Sequence, residues 1–391
     1  MKTIKDIDLK NKQVLVRVDF NEPLDEQGNP LDDYRIKATL PTLEYLLGQG
    51  CRLVLMTHVG RPDGKVIEKY RTTGVARALE RLLKRPVVKL DDCVGEKVKS
   101  TIGNHEADVY FLENLRFHPG EEANDEGFAK QLAELGEIYV NDAFANSHRD
   151  HASMTGVPKL IPGVAGLLVE KEVAKLSSVR DNPKHPFTFV LGGSKLETKI
   201  KLLEKFVQIA DNVLVGGRVA NTLLKASGSE VGASKIEGKV LSEAATLVPK
   251  VTDAKLMLPI DVVVSAPLEK DKLSGPARDC AVGEVEGGEA IYDIGPRTAA
   301  KYGEVISDSA LVLWNGPLGH IEVDKFQGGT KGIIESLQNT PAETVVGGGE
   351  TVDFLDEAGA RDNIDFVSTG GGAMLDFLAD GKLVALEALE K

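Results

Sequence analysis

Short apolar runs alternate with helix-length segments through the first half of the chain. Val14–Val18, Leu53–Met56, Val109–Leu112 and Ile138–Val140 read as strands. Between them Ile36–Leu47, Thr73–Leu83 and Phe128–Leu135 read as helices, the last with Phe128, Leu132 and Leu135 on one face. That alternation predicts a parallel α/β sheet. Gly166–Arg180 has helical spacing (Leu168, Val173, Leu176, Val179) and Asn182-Pro183 stops it. It reads as a long connecting helix with a domain boundary near residue 172, giving domains of residues 1–172 and 173–372.

Beyond that helix each strand runs into glycines. Phe187–Leu191 leads to GGSKLETKI, Val213–Val215 to GGRVANTLL and Leu311–Trp314 to NGPLGHIE. Val345-Val346 leads to GGGETVDFL, and Phe366-Val367 to STGGGA, which opens a helix with Met374, Phe377 and Leu378 inward. A glycine lets a ligand approach the backbone, and the unpaired N–H groups of a first helical turn favour an anion. Repeated at successive strand ends, the device predicts a nucleotide cradle. Ala266–Pro296 is charged and Gly-rich and reads as an excursion with little chemistry of its own.

At 391 residues the chain exceeds a single-core domain, which supports two. A net charge of −13 argues against binding to nucleic acid or an anionic membrane. Cys51, Cys93 and Cys280 form neither a disulfide framework nor a metal spacing. MKTIKDIDLK lacks an apolar signal core, and no apolar run is long enough to span a bilayer. A soluble, cytoplasmic protein is expected.

The candidate chemistry of the first half sits at its predicted strand ends. Val18 is followed by Asp19 and Asn21, Met56 by His58 and Arg61, and Leu112 by Arg116 and His118. Val140 is followed by Asn141, Asp142, Arg149 and His151, and Arg35 lies just before the first helix. One such arginine alone is a solvated surface charge; four at equivalent places suit a compact polyanion such as a phosphorylated acid. His105 and His185 lie in polar or Pro-rich loops and are assigned no role. In the second half the candidates are Lys195, Lys199, Asn315 and Glu322. Glu350, at a glycine junction, is suited either to Mg²⁺ with nucleotide phosphates or to a helix dipole. There is no GxxxxGK[ST] loop, no GxGxxG after the first strand, no GxSxG and no zinc spacing. The HRD at His148–Asp150 lacks the later Asn and DFG of a protein kinase.

RVDFNEP, THVGRP, ENLRFHPGE, NDAFANSHRDHAS, GGSKLETKI, WNGPLGHIE, GGGETVDF and STGGGA occur in this order, and the chain resembles the phosphoglycerate kinases of bacterial type over nearly its whole length. The resemblance implies two doubly wound, Rossmann-like parallel-sheet domains joined by a hinge helix, with residues from about 373 to 391 returning to the first domain. It implies reversible phosphoryl transfer from the acyl phosphate of 1,3-bisphosphoglycerate to MgADP, giving 3-phosphoglycerate and MgATP in glycolysis and gluconeogenesis. Asp19, Asn21, Arg35, His58, Arg61, Arg116 and Arg149 would then bind phosphoglycerate. Lys195, Lys199, Asn315, Glu322, Gly348, Gly349, Glu350 and Thr351 would bind nucleotide, Glu322 contacting ribose and Glu350 handling Mg²⁺. Arg35, Lys195 and the N–H groups of Gly371 and Gly372 are expected to stabilise the transferring phosphoryl group. A monomer is implied by the family alone.

The sequence departs from the family pattern at several points. Glu350 stands where aspartate is typical, Glu22 where valine is common, Arg218 replaces a glycine, and His320-Ile321 replaces Val-Phe. Two alternatives stand beside this reading: another α/β enzyme with a different acceptor, and a non-catalytic sensor on the same fold.

Overall fold

The structure, a computed structural model, describes residues 1–104, 107–247 and 255–390. Its first half follows the apolar runs closely. Strands β1 (Gln13–Val18), β2 (Arg52–Met56), β3 (Val88–Lys89), β4 (Val109–Phe111), β5 (Ile138–Asp142) and β6 (Gly163–Ala165) form one sheet in the order β3-β4-β2-β1-β5-β6. All pairs are parallel; β1 meets β2 from Gln13–Arg52 to Arg17–Met56, and β5 from Val14–Ile138 to Val18–Asp142. Every carboxyl end therefore reaches the same edge, the place where an open α/β sheet binds ligands. Val14, Val16 and Val18 enter one core with Leu43, Leu79 and Phe111, so the period of two turns Leu15 and Arg17 to the opposite face. Strands β3 and β6, which the sequence pattern does not announce, are two and three residues long, too short to display an alternation.

The chain divides into two compact units, Met1–Leu176 with Asp380–Lys391, and Ser177–Ala379. The division falls inside the helix Leu167–Asp181. That helix starts where its sequence allows no side chain: a Cβ on Gly166 would lie 2.1 Å from Asp142 Oδ1. The same oxygen accepts from Leu168 N at 3.0 Å, and Leu167 N donates to Thr42 Oγ1 at 2.9 Å, satisfying orphan donors of the first turn. Burial pushes the Asp142 carboxyl up to about 7. In the C-terminal helix Val384–Ala388, Ala385 N donates to Ser147 O at 3.1 Å within the first unit.

In the second unit β7 (Phe187–Leu191), β8 (Asn212–Val215), β9 (Leu256–Met257), β13 (Leu311–Asn315), β14 (Glu343–Gly347) and β15 (Phe366–Val367) form a parallel sheet ordered β15-β14-β13-β7-β8-β9. Trp314, the single tryptophan, is fully buried there with Val190, Leu214 and Val346. Strands β10 (Asp261–Ser265), β11 (Arg278–Ala281) and β12 (Ala290–Ile294) form a separate antiparallel sheet ordered β11-β10-β12. The Gly-rich excursion of the sequence is thus built structure. Asp261 joins it to the helix Pro296–Ser307, accepting from Arg297 N at 3.0 Å, Thr298 N at 2.7 Å and Thr298 Oγ1 at 2.6 Å. Replacing this buried carboxylate leaves the Arg297 and Thr298 N–H groups without this partner, while the Thr298 hydroxyl keeps the Asp261 carbonyl at 3.0 Å. Asp261→Ala should lower the second unit's stability by about 1–3 kcal/mol, read from urea unfolding followed by Trp314 fluorescence.

Candidate active site

The carboxyl edge of the first sheet carries the basic residues that the sequence placed there. Asp19, next after β1, is buried and ion-pairs with Arg35 Nη1. Burial opposes its charge, but Arg35 and the charges beside it hold the carboxyl well below the usual range. Asn21 Oδ1 accepts from Gly60 N at 2.8 Å, and Arg116 Nη1 donates to Gly60 O at 2.7 Å, so the turn after β2 is braced from both neighbours. His58, in that turn, is 2% exposed. Its burial, with Arg17, Arg116 and Arg149 around it, drives the imidazole well below its ordinary value against the pull of Asp19. Arg61 is exposed, and its charge reaches Arg149. Arg149 Nη1 is buried without a protein acceptor among the described residues. Burial and mutual repulsion weaken the hold of Arg116 and Arg149 on their protons. Such a face gains stability by accepting an anion.

Some strand-end residues turn away from that face. His118 Nε2 lies 2.7 Å from Asp92 Oδ1, and its ring stacks on Phe128 at 4.8 Å between centroids. Asp92, Cys93 and His118 bring mixed metal donors within 4.8 Å of one another. Those donors already serve the protein: the Cys93 thiol donates to Glu113 O at 2.9 Å, and burial pushes it well above its usual value. Burial, with Arg17, Arg149 and Arg116, pushes His151 down to about 4.

In the second sheet the five glycine junctions share one carboxyl edge across β15, β14, β13, β7 and β8. The turns are interlocked through their backbones. A Cβ on Gly192 would lie 2.2 Å from Pro317 O, and Gly348 has φ +107°, so neither position tolerates a side chain without strain. Asn315 Nδ2 donates to Gly347 O at 2.8 Å, and Thr351 Oγ1 accepts from Gly316 N at 2.9 Å. Both side chains are committed to tying the β13 turn to the β14 turn. A Cβ on Gly371 would find Gly349 N at 3.9 Å, which brings STGGGA beside GGGET. Gly372 opens the helix Gly372–Asp380.

Lys199 is buried, its Nζ donating to Gly192 O at 2.7 Å. Burial pulls it down to about 8, against the attraction of Glu350. Lys195 is exposed, and its carbonyl accepts from Thr198 Oγ1 at 3.1 Å. Beside these turns lies a cavity of about 400 Å³ lined by Gly193, Gly217, Tyr292, Glu322 and Glu350 among others. Glu322 stands at its rim, its side chain 55% exposed and its Oε2 3.2 Å from His320 Nδ1. The departures Arg218 and His320 also line the cavity.

Two groups of residues escape the sequence reading. Tyr292 and Asp293 come from β12, inside the stretch read as an excursion, and no local pattern marks them. In the first unit Arg17, Ser153 and Glu121 form a buried polar chain behind His58. Only Arg17, a charge within an otherwise apolar strand, leaves a trace in the sequence.

Two parallel-sheet units, one presenting crowded arginines and the other a glycine-lined cavity at its strand ends, define an α/β protein with an anion-accepting surface on each unit. A family model described as phosphoglycerate kinase matches residues 4–382. The chain is 44% identical to the phosphoglycerate kinase of Pelotomaculum thermopropionicum, over 99% of this chain and 98% of the relative. It is 43% identical to that of Moorella thermoacetica, again over 99% and 98%. Among solved structures, phosphoglycerate kinase from Coxiella burnetii aligns with a TM-score of 0.84 at 35% identity, covering 99% of this chain and 98% of the other. That of Pyrococcus horikoshii aligns at 0.86 and 32%, covering 100% and 98%. The chain belongs to the phosphoglycerate kinase family. Its function is that of a phosphoglycerate kinase, a phosphotransferase with a carboxyl group as acceptor.

Proposed function

We propose that the arginine face of the first unit binds 3-phosphoglycerate and 1,3-bisphosphoglycerate, and that the glycine-lined edge of the second binds MgADP and MgATP. The observation that carries the first assignment is the orphaned, buried Nη1 of Arg149 within a cluster of mutually repelling guanidinium groups. The attacking group in the ATP-consuming direction is a carboxylate, ionised at neutral pH, so no general base is required. What transfer needs is in-line positioning and neutralisation of the equatorial oxygens. Arg35 and Lys195 supply positive charge there, and the N–H groups of Gly371 and Gly372 act as fixed donors.

Mg²⁺ accompanies the nucleotide. The Glu350 carboxylate, exposed in the first turn of the helix Gly349–Glu357 and lining the cavity, is the hard oxygen donor such an ion takes beside nucleotide phosphates. The ion would neutralise phosphate charge. Each substrate is assigned to its own unit, so transfer requires closure, with Leu167–Asp181 and the turn at Ser368–Gly372 as the proposed hinges. Three free, buried cysteines suit a reducing compartment, and a cytoplasmic enzyme is the reading. A monomer follows from the family resemblance and is testable by sedimentation velocity.

³¹P NMR of the protein with 3-phosphoglycerate, MgATP and a trap for the acyl phosphate should show ADP growing only when 3-phosphoglycerate and Mg²⁺ are both present. Arg35→Ala should lower turnover by about 10³-fold with the fold retained; a fall under about tenfold would remove Arg35 from the transition state. Because Lys199 loses its proton near pH 8, MgADP affinity should fall above that pH, by up to about tenfold per pH unit. Lys199→Arg, charged throughout, should flatten that dependence in calorimetric titrations. Small-angle scattering should contract when both substrates are added, and an unchanged profile would sink the closure.

A further inference from the structure

Arg17 is 1% exposed at the next-to-last position of β1, and it directs its donors inward. Nε donates to Ser153 Oγ at 2.9 Å, Nη1 donates to Val18 O, and Nη2 approaches His58 Nδ1 at 3.3 Å. The Ser153 hydroxyl accepts from Arg17 and therefore sends its own proton to Glu121 Oε1 at 2.6 Å. Ser153 N donates to Glu121 Oε2 at 3.0 Å. Glu121 and Ser153 are both 0% exposed. Both oxygens of Glu121 accept, which is the bonding pattern of an ionised carboxylate. The chain of bonds has one direction, from guanidinium through hydroxyl to carboxylate.

That direction decides the state of His58. A guanidinium only donates, so Nδ1 of His58 accepts, and the ring proton sits on Nε2. Asp19 Oδ1 stands 3.9 Å from the same Nδ1, outside hydrogen-bonding range, and does not compete for it. We propose that Glu121 and Ser153 are positioning residues of the phosphoglycerate face, holding Arg17 so that it fixes His58 as a neutral imidazole with Nε2–H as donor. The proposal rests on the reading of that face as the phosphoglycerate site. Its physical rationale is crowding: Arg116 and Arg149 already repel each other there, and a sixth cation beside Arg17, Arg35 and Arg61 would be expelled or would displace a neighbour. A neutral N–H donor gives direction to a bound anion without adding charge. Glu121 compensates Arg17 at one remove, leaving the substrate face cationic.

The test uses the full chain. Long-range ¹H–¹⁵N correlation spectra of the imidazoles, with His58 assigned by its absence in His58→Gln, should show the wild type protonated on Nε2 alone. Ser153→Ala should lose that single tautomer and raise KM for 3-phosphoglycerate by about tenfold, while KM for MgATP stays within about twofold. Glu121→Gln, which keeps the side-chain volume, should move both readouts the same way and is decisive if Ser153→Ala does not fold. A wild-type His58 protonated on Nδ1 or on both nitrogens would overturn the proposal. So would a variant that raises KM while His58 keeps its tautomer, since that is what a purely structural role does. Absence of turnover with 3-phosphoglycerate in the wild type would instead strike at the site assignment, and the tautomer would still decide the relay.

Discussion

Like charges held close together are the constraint on which the first unit depends. A folded chain can keep several guanidinium groups at one edge only by restraining them without neutralising them. The restraints here combine neutral or indirect bonds with a few carboxylates. Arg116 donates to the Gly60 carbonyl, Asn21 braces the same glycine, and Arg17 reaches Glu121 only through the Ser153 hydroxyl. The direct acids are Asp19 and Glu22 beside Arg35, and Glu122, whose Oε1 lies 2.9 Å from Arg116 Nε. Parallel pairing makes this arrangement possible, because β1, β2, β4 and β5 deliver their following turns to one edge in a fixed register. The excess positive charge is then a property of the edge, and a polyanion is the species that relieves it.

On the proposed assignment, the second unit meets a similar ligand problem with backbone. Its turns interlock so closely that a Cβ on Gly192 would strike the Pro317 carbonyl, and N–H groups and helix starts take the place of guanidinium groups. One buried cation, Lys199, is woven into the turns through the Gly192 carbonyl. Asn315 and Thr351 are buried cross-links between the β13 and β14 turns, so their contribution to the cavity is the shape of the backbone. The contrast has a chemical basis. Backbone donors reach a phosphate chain only where no side chain intervenes, whereas a small, highly charged acid is gripped well by long, forked side chains.

These devices differ in how legible they are in a sequence. Strand ends are readable because apolar runs such as Val14–Val18 stop abruptly at Asp19, and parallel topology follows from intervening helices such as Thr73–Leu83, which buries Val75, Ala76, Leu79 and Leu83. Glycine junctions are readable because the residue itself is the device. Glu121 and Ser153 are not, because they are 32 residues apart and meet only through the fold. The antiparallel sheet of β10–β12 is hidden for a different reason. One of its outer strands, Arg278–Ala281, is largely exposed and polar, and it lies between a charged stretch and a Gly-rich one. Tyr292 and Asp293 therefore reach the cavity from a segment whose composition says only that it is a surface excursion.

Glu22 shows how a departure from a family pattern is resolved by geometry. A carboxyl where valine is common adds an acid to an edge crowded with cations. The structure puts Glu22 Oε1 2.7 Å from Arg35 N, capping the start of the helix Tyr34–Gly48, with Oε2 3.8 Å from Arg35 Nε. Burial pushes this carboxyl up to about 7, with Arg35 pulling the other way. Arg35 therefore rests between two carboxylates, one fully ionised and one titrating near neutrality. Its charge is unaffected, so its capacity to meet a phosphoryl group persists. What changes is the competition an incoming anion must win, and that competition weakens as Glu22 takes up its proton below about 7. The extra acid bears on how firmly Arg35 is held at this edge and leaves its positive charge intact.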